Sequence, residues 1–416
     1  MHSLNHHSSL DAWLAHLMSI HPSEIDMGLT RVTAVAKILG LTTLTNTKIV
    51  TVAGTNGKGT TCALIEQVMA KAGWRVGVYS SPHLMKYNER VRVEGIDASD
   101  EALIEAFCAI DKARGDISLT FFEYATLAGL YVFKAAKLDL VLLEVGLGGR
   151  LDATNLIDAD ISVITAIDID HQEYLGDTRE LVGREKAGVF RTCRPAIVGD
   201  PNMPQSVVDY ANEIEANLSA VGCGFTYQQK TSDWQFSGQS LSIDRLPLPQ
   251  LPLPNAVTAL AVVEQLLPTV DHDTVRASLQ QARLTGRFET YSEHPLILLD
   301  VAHNPHAAAY LASRLAAHKG RRILALCGML KDKDCQAVIT TLKDCVDAWY
   351  FTDLNCDRSA NAIELGSYLS GDTPSNHFGS MNQAWQALNQ DMLSDDVVIV
   401  FGSFYTVAEF KNLDQE

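Results

Sequence analysis

The stretch KIVTVAGTNGKGTTCALIEQVMAKAGWRVGVY, residues 48–79, decides the fold. Lys48 to Ala53 is a short apolar run closed by glycine, the pattern of a buried strand. Beyond it Leu64, Ile65, Val68 and Met69 recur at helical spacing until Gly73 stops the helix, and Trp74 to Tyr79 returns as a second strand. A strand, a crossover helix and a strand in this order form a βαβ unit with parallel strands. Between the first strand and the helix lies GTNGKGT, Gly54 to Thr60. Such a turn aims backbone N–H groups at an anion, with Lys58 available to a β- or γ-phosphate and Thr60 to magnesium. It departs from the usual GxxxxGK[ST]: Val52 stands where the first glycine would be, and Gly59 separates Lys58 from Thr60. A plain tight turn would account for the glycines but not for the lysine and hydroxyl beside them.

Outward from this unit, Leu138 to Val145 and Ile161 to Ile167 read as further buried strands of the same sheet. Phe225 to Leu251 changes to short polar–aromatic alternation, an antiparallel β pattern, and LPLPQLPLPN reads as an extended connector with a helix resuming after Asn255. From Pro295 a second series of strand, loop and helix begins (PLILLDVAHNPHA, RRILALCGML, DAWYFTDL, DDVVIVFGSFYTVAEF). The expectation is an α/β protein: a large P-loop ATPase domain with a mainly parallel sheet over 1–290, including a small β subregion at about 220–250, and a smaller Rossmann-like α/β C-terminal domain over 291–416.

Ligands of an open parallel sheet bind beyond the carboxyl ends of its strands, so the loop after each strand is the place to look. Ser80-Ser81-Pro82-His83 comes after the second strand, Glu144 and VGLGGRLDATN after the third, and Asp168, Asp170 and His171 after the fourth. Glu144 ends an apolar run, where a carboxylate needs a cation; Arg150 is a candidate partner, a metal the alternative. Oxygen donors with a single histidine suit magnesium better than zinc. Lys186, in GREKAGVF, reads by itself as a solvated helix lysine, and Thr120 to Glu123 (TFFE) as a capping box opening a helix.

The chain of 416 residues carries 33 basic and 50 acidic side chains, a net charge of −17, which excludes a broad basic face for nucleic acid. Its 47% hydrophobic content supplies a core. Eight cysteines without a CxxC pair signal neither a zinc ribbon nor a disulfide framework, and no run of eighteen apolar residues occurs. A cytoplasmic, soluble protein, acting without nucleic acid or membrane and as a monomer, is expected.

Taken in order, GTNGKGTTC, YSSPHL, LEVGLGGRLDATN, DHQEYLG, GREKAGVFR, GRFE, DVAHNPHA and GSFYTVAE resemble the folylpolyglutamate synthase family, especially its bifunctional bacterial branch that also makes dihydrofolate, within the wider Mur-type amide ligases. The resemblance runs from IDMGLTRV at Ile25 to the last helix. It implies an ATP-dependent acid–amino-acid ligase taking dihydropteroate, reduced folates, L-glutamate and ATP. It implies that Thr55, Asn56, Gly57, Lys58, Asn255, Arg287 and Asp300 bind ATP, and that Thr60, Ser81, Glu144 and His171 surround one or two Mg2+ ions. Lys186 matches a lysine carbamylated in the family, which places it with the metal set and, beside Lys58, Glu144 and His171, among the catalytic residues. The pterin or folate would lie against Asp26, Met27, Gly28, Leu29, Thr120, Phe121, Phe122, Glu123, Asp152 and Ala153, an aromatic such as Phe122 being suited to stacking on the ring. His303 and Ser403 are candidates for the incoming glutamate. Alternatives are a monofunctional folylpolyglutamate synthase, another Mur-type ligase and, of a different class, a P-loop nucleotide switch.

Overall fold

The computed structural model describes residues 4–23, 25–369 and 373–413. The chain divides into two compact units, Met1–Ala282 and Arg283–Glu416. The division falls eight residues ahead of the 290/291 position expected from the sequence, because the strand Glu289–Glu293 pairs antiparallel with Leu296–Asp300 and so belongs to the second unit.

The first unit is built on β1 (Lys48–Ala53), β2 (Val76–Tyr79), β3 (Val91–Val93), β4 (Ile96–Asp97), β5 (Leu140–Glu144), β6 (Ile161–Ile164), β7 (Pro195–Val198) and β8 (Asn217–Ala220). Their order in the sheet is β4-β3-β2-β5-β1-β6-β7-β8. The six strands from β2 across to β8 are parallel to one another, and β3 and β4 extend one edge in antiparallel pairing. Both edges escape a reading of the sequence, since VRV, ID, PAIV and NLSA are runs of four residues or fewer, too short for a periodicity to register. One apolar layer gathers Trp13, Phe107, Tyr124 and Phe133 from the helices Leu10–Leu17, Asp100–Arg114 and Phe121–Ala136. Another gathers Val182, Phe190, Val198 and Val207 around the helices Arg179–Ala187 and Gln205–Glu213. The Thr120–Glu123 capping box forms as read, Thr120 accepting from the Glu123 N–H and Glu123 accepting from the Thr120 N–H.

The polar–aromatic stretch folds into a separate antiparallel sheet of β9 (Thr226–Gln229), β10 (Asp233–Ser237) and β11 (Ser242–Pro247). The next helix starts at Leu253 rather than after Asn255, since Pro254 sits in its first turn, where a missing N–H costs nothing. This helix, Leu253–Leu266, grips the sheet through Glu264, whose buried carboxylate accepts the Ser240 and Leu241 N–H groups and the Ser240 hydroxyl.

The second unit is a six-stranded sheet of β12 (Glu289–Glu293), β13 (Leu296–Asp300), β14 (Ile323–Cys327), β15 (Ala348–Thr352), β16 (Ser375–Phe378) and β17 (Val397–Phe401), in the order β12-β13-β17-β14-β15-β16. All its pairs are parallel except β12–β13. Trp349 and Phe351 stack at 5.2 Å in its core, and Phe401 meets Trp349 edge-on.

Glu264→Ala leaves two amide donors under the sheet without an acceptor. Hydrogen exchange at Ser240 and Leu241 should accelerate by about 30-fold, the equivalent of roughly 2 kcal/mol of local protection. Glu264→Gln, which keeps an acceptor, should show a smaller effect.

Candidate active site

The strand order places β1 between β5 and β6, with β2 beyond one and β7 beyond the other. Val52 lies opposite Glu144, Ala53 opposite Ile164, and Tyr79 opposite Leu143. The loops that leave β1, β2, β5 and β6 therefore emerge along one edge, at the point where the strand order reverses.

The glycine-rich loop after β1 is fixed from outside. The Thr55 N–H donates to the Ala166 carbonyl at 2.7 Å, and the Thr55 hydroxyl to the Asp168 carbonyl at 2.9 Å. Thr165 donates its hydroxyl to the Asn56 carbonyl at 2.6 Å, and the Asn255 amide reaches the Gly57 carbonyl at 3.4 Å and the Thr61 hydroxyl at 3.2 Å. Gly54 (φ 150°) and Gly57 (φ 84°) are required there: a Cβ on the first would strike the Thr165 hydroxyl, and one on the second the Asn255 amide. The helix Lys58–Lys71 starts directly after Gly57, so its unpaired N–H groups and positive dipole end face the loop. The Lys58 ammonium curls back over the loop, donating to the Gly54 carbonyl at 3.0 Å and the Thr55 carbonyl at 3.4 Å.

Around this helix start stand Thr60, buried in the first turn, and Glu144, buried at the end of β5. The Glu144 carboxylate abuts Gly59 and accepts the Ser81 N–H at 3.3 Å. Arg150 is not its partner. That arginine pairs with Glu185 at 2.8 Å on the helix Arg179–Ala187. His171 lies on the loop after β6 in a left-handed conformation (φ 50°), its N–H on the Asp170 carboxylate at 2.9 Å and its Nε2 4.0 Å from the other oxygen. Among the described residues no group of three or more His, Cys, Asp or Glu side chains forms a ready metal cage. One carboxylate, two hydroxyls and one imidazole suit a hard cation that retains water and takes phosphate oxygens as further ligands.

Lys186 is the sharpest departure from the residue-by-residue reading. Instead of a solvated side chain it is 3% exposed, and the adjacent Glu185 is turned to Arg150. Its ammonium makes no hydrogen bond or ion pair within the described residues. Burial, then repulsion from Lys58, brings its pKa down to about 7, against the weaker pull of Asp170 and Asp152. Its helix is closely packed by the loop after β5: a Cβ at Gly149 would press on the Lys186 and Glu185 carbonyls.

The two substrate segments expected from the resemblance are brought together by a residue not singled out in the sequence. Arg31 pairs with Asp26 at 2.7 Å and with Glu123 at 3.2 Å, tying the 26–29 segment to the start of the helix Phe121–Ala136. It sits in IDMGLTRV, where an arginine five residues beyond an aspartate was the available signal. Phe122 lies against Gly146, leaving no room for a side chain there, with its ring 5.9 Å from that of Tyr79. Met27 approaches Gly148 beside Leu175. Asp152 is fully engaged: its carboxylate accepts the Gly146, Leu147 and Thr154 N–H groups and the Thr154 hydroxyl, so it shapes the glycine loop beside buried Ala153. Burial raises its pKa while those donors oppose the rise.

In the second unit Asp300 ends β13 opposite Phe401 of β17, so the loops carrying His303 and Ser403 leave one edge. Asp300 accepts the Phe288 and Ala302 N–H groups at 2.8 Å; burial raises its pKa and the nearby Arg287 lowers it. Arg287 lies over the Phe404 ring at 5.0 Å. The His303 Nδ1 is 2.8 Å from the Val301 carbonyl. Ser403 is buried and caps the helix Phe404–Asn412, accepting the Thr406 N–H at 3.0 Å, a complete structural role.

This fold is that of the Mur ligases: residues 52–263 match the Mur ligase middle domain, and residues 286–404 the Mur ligase, glutamate ligase domain. The dihydrofolate synthase/folylpolyglutamate synthase of Escherichia coli K12 is 49% identical over 96% of this chain and 94% of its own. The solved structure of E. coli FolC in complex with DHPP and ADP matches with a TM-score of 0.95 at 47% identity, covering 99% of both chains. A bifunctional folylpolyglutamate synthase/dihydrofolate synthase with Mn, AMPPNP and L-glutamate bound matches at 0.92 and 46%, covering 99% of this chain and all of that one. The chain belongs to the dihydrofolate synthase/folylpolyglutamate synthase family.

In the unmodified chain Lys186 releases its proton near pH 7 when folded and near 10.5 when unfolded. Between these values the unfolded chain holds the extra proton, so this group makes stability rise with pH; below pH 7 its burial costs the fold in full. Lys186→Met should therefore raise the urea midpoint at pH 7, with the gain fading toward pH 10.5.

Proposed function

We propose that the chain is an ATP-dependent ligase that adds L-glutamate to dihydropteroate, forming dihydrofolate, and to reduced folates, forming polyglutamates, through an acyl phosphate. One observation carries this reading: a helix start built for phosphate and a set of hard oxygen donors share one sheet edge, in a chain of this family. A carboxylate does not condense with an amine, because its oxygen is a poor leaving group. Transfer of the γ-phosphoryl group to that oxygen makes it one, and the glutamate amine then displaces phosphate to leave the amide.

Each residue has a place in this reaction. Lys58 leaves the Gly54 and Thr55 carbonyls to meet the transferring phosphoryl group, and the first N–H groups of its helix receive the remaining phosphate charge. Thr55, Asn56, Gly57 and Asn255 keep the loop in shape for the nucleotide. Thr60, Ser81, Glu144 and His171 would hold magnesium, which when bound neutralises charge between the phosphates. Phe122, Met27 and the 146–149 loop form the wall for the pterin ring, and the second unit receives glutamate near His303.

A neutral amine is the form that adds carbon dioxide, and a pKa near 7 makes a large fraction of Lys186 neutral under ordinary conditions. Its carbamylation would replace a buried cation by an anion able to approach the metal. We place the enzyme in the cytoplasm as a monomer. All eight cysteines are free thiols, and no helix among the described residues is long and apolar enough to cross a membrane.

ADP release should require dihydropteroate and L-glutamate together, as it should a reduced folate and glutamate; turnover with ATP alone would defeat the ligase reading. Lys58→Ala should lower kcat by about 100-fold or more at near-parental stability. In isotope-labelled bicarbonate the parent should show a carbamate carbon resonance that Lys186→Met lacks.

A further inference from the structure

Arg90, the last residue of the turn Tyr87–Arg90 ahead of β3, is the buried arginine with the oddest surroundings in the first unit. It is 8% exposed, yet no carboxylate lies within ion-pair distance of it among the described residues. Other arginines of the first unit are paired: Arg31 with Asp26 and Glu123, Arg92 with Glu66 at 2.6 Å, Arg150 with Glu185, and Arg179 with Asp200 at 3.0 Å. Glu89, adjacent in sequence, is spent on its own loop, accepting the Leu84, Met85 and Lys86 N–H groups at 2.7–2.8 Å. Arg90 lies instead over the rings of Tyr87 at 5.8 Å and Phe121 at 5.4 Å, near the buried Tyr79 hydroxyl, and its Nε donates to the His83 Nδ1 at 2.9 Å. A guanidinium buried among aromatic rings, a phenol and an imidazole, with no carboxylate beside it, is costly unless an anion completes its surroundings.

The surroundings place that anion at the substrate edge. The Arg90 carbonyl accepts the Ser80 N–H at 2.9 Å, directly after β2, and Phe121 opens the helix whose next residue, Phe122, stands against Tyr79 and Gly146. On the ligase reading, on which this inference rests, the two acceptor substrates differ in charge. Dihydropteroate ends in a single carboxylate, the one that reacts. A folate ends in glutamate, with two carboxylates, of which one reacts while the other stays anionic and needs a cation. Lys58 is committed to phosphate, and Arg31 and Arg150 are already paired.

We propose that Arg90 binds the non-reacting carboxylate of a glutamate-bearing substrate, and thereby serves glutamate addition to folates more than the first addition to dihydropteroate.

The experiment measures both reactions on one preparation of the full chain. Parental protein turning over dihydropteroate and a reduced folate monoglutamate establishes the ligase reading independently of the inference. Arg90→Met should then raise KM for the folate by about 10- to 100-fold, the scale of losing a charge-assisted pair. Its effect on KM for dihydropteroate should be at least tenfold smaller. Arg90→Lys should recover part of the folate loss, and a folate whose non-reacting carboxylate is an amide should bind parent and Arg90→Met equally weakly. Equal losses on both substrates, or no loss on either, would overturn the inference. So would an amide that the parent binds as well as the acid. If Arg90→Met fails to fold, the comparison of acid with amide on the parent, repeated with Arg90→Lys, decides it alone.

Discussion

Two hydrogen bonds to backbone carbonyls, from Thr165 to Asn56 and from Asn255 to Gly57, hold the phosphate loop open to a ligand. They exist because Gly54 and Gly57 have no side chain where those partners approach. The partners arrive from 109 and 198 residues further along the chain. The loop therefore takes its shape only after β6 has docked beside β1 and the helix Leu253–Leu266 has packed against the helix Lys58–Lys71. A local motif is here the product of tertiary structure, and the position of Lys58, the direction of its helix and the reach of Glu144 all depend on it.

The charges around this loop are arranged against the sign of the whole molecule. A net charge of −17 keeps the surface dispersed but does not describe the edge where anions bind. There, aspartates and glutamates are mostly consumed by backbone donors or arginines, as Asp152, Glu89, Glu123 and Glu185 are. Of the side chains that remain turned inward, Glu144 is the anion, and Lys58, Lys186 and Arg90 are cationic or readily neutral. Repulsion between Lys58 and Lys186 is part of why the second gives up its proton easily.

The features legible in the sequence were those set by near neighbours. The βαβ unit comes from spacing within 48–79, the Thr120–Glu123 box from four residues, and the antiparallel sheet from alternation in β9 to β11. Lys186 was misread residue by residue because a lysine in a helix as charged as RELVGREKA reads as solvated, although it shares a face with the buried Val182, Gly183 and Ala187. The loop carrying Gly149 and Arg150 packs against the end of its helix from 35 residues away, a contact that no local pattern carries; only resemblance to the family placed Lys186 near the chemistry. Arg90 went unnoticed for the same reason, since NERVRV reads as a charged surface turn until Phe121 covers it. The start of the helix at Leu253 was missed for a different one: a proline marks the end of a helix and its first turn alike.

The helix Leu253–Leu266 carries Asn255 in its first turn and Glu264 in its last, nine residues or about 13 Å apart at 1.5 Å per residue. One end grips the phosphate loop and the other the three-stranded sheet, and midway Thr258 fits against Gly199. The helix behaves as a strut with fixed feet. A graft, deletion or shortened turn in β9 to β11 moves the foot at Glu264, and rigidity transmits that shift to the amide that shapes the nucleotide loop. The small sheet at the periphery is thus a tuning handle for the catalytic centre, and a poor place to attach a tag or insert a loop.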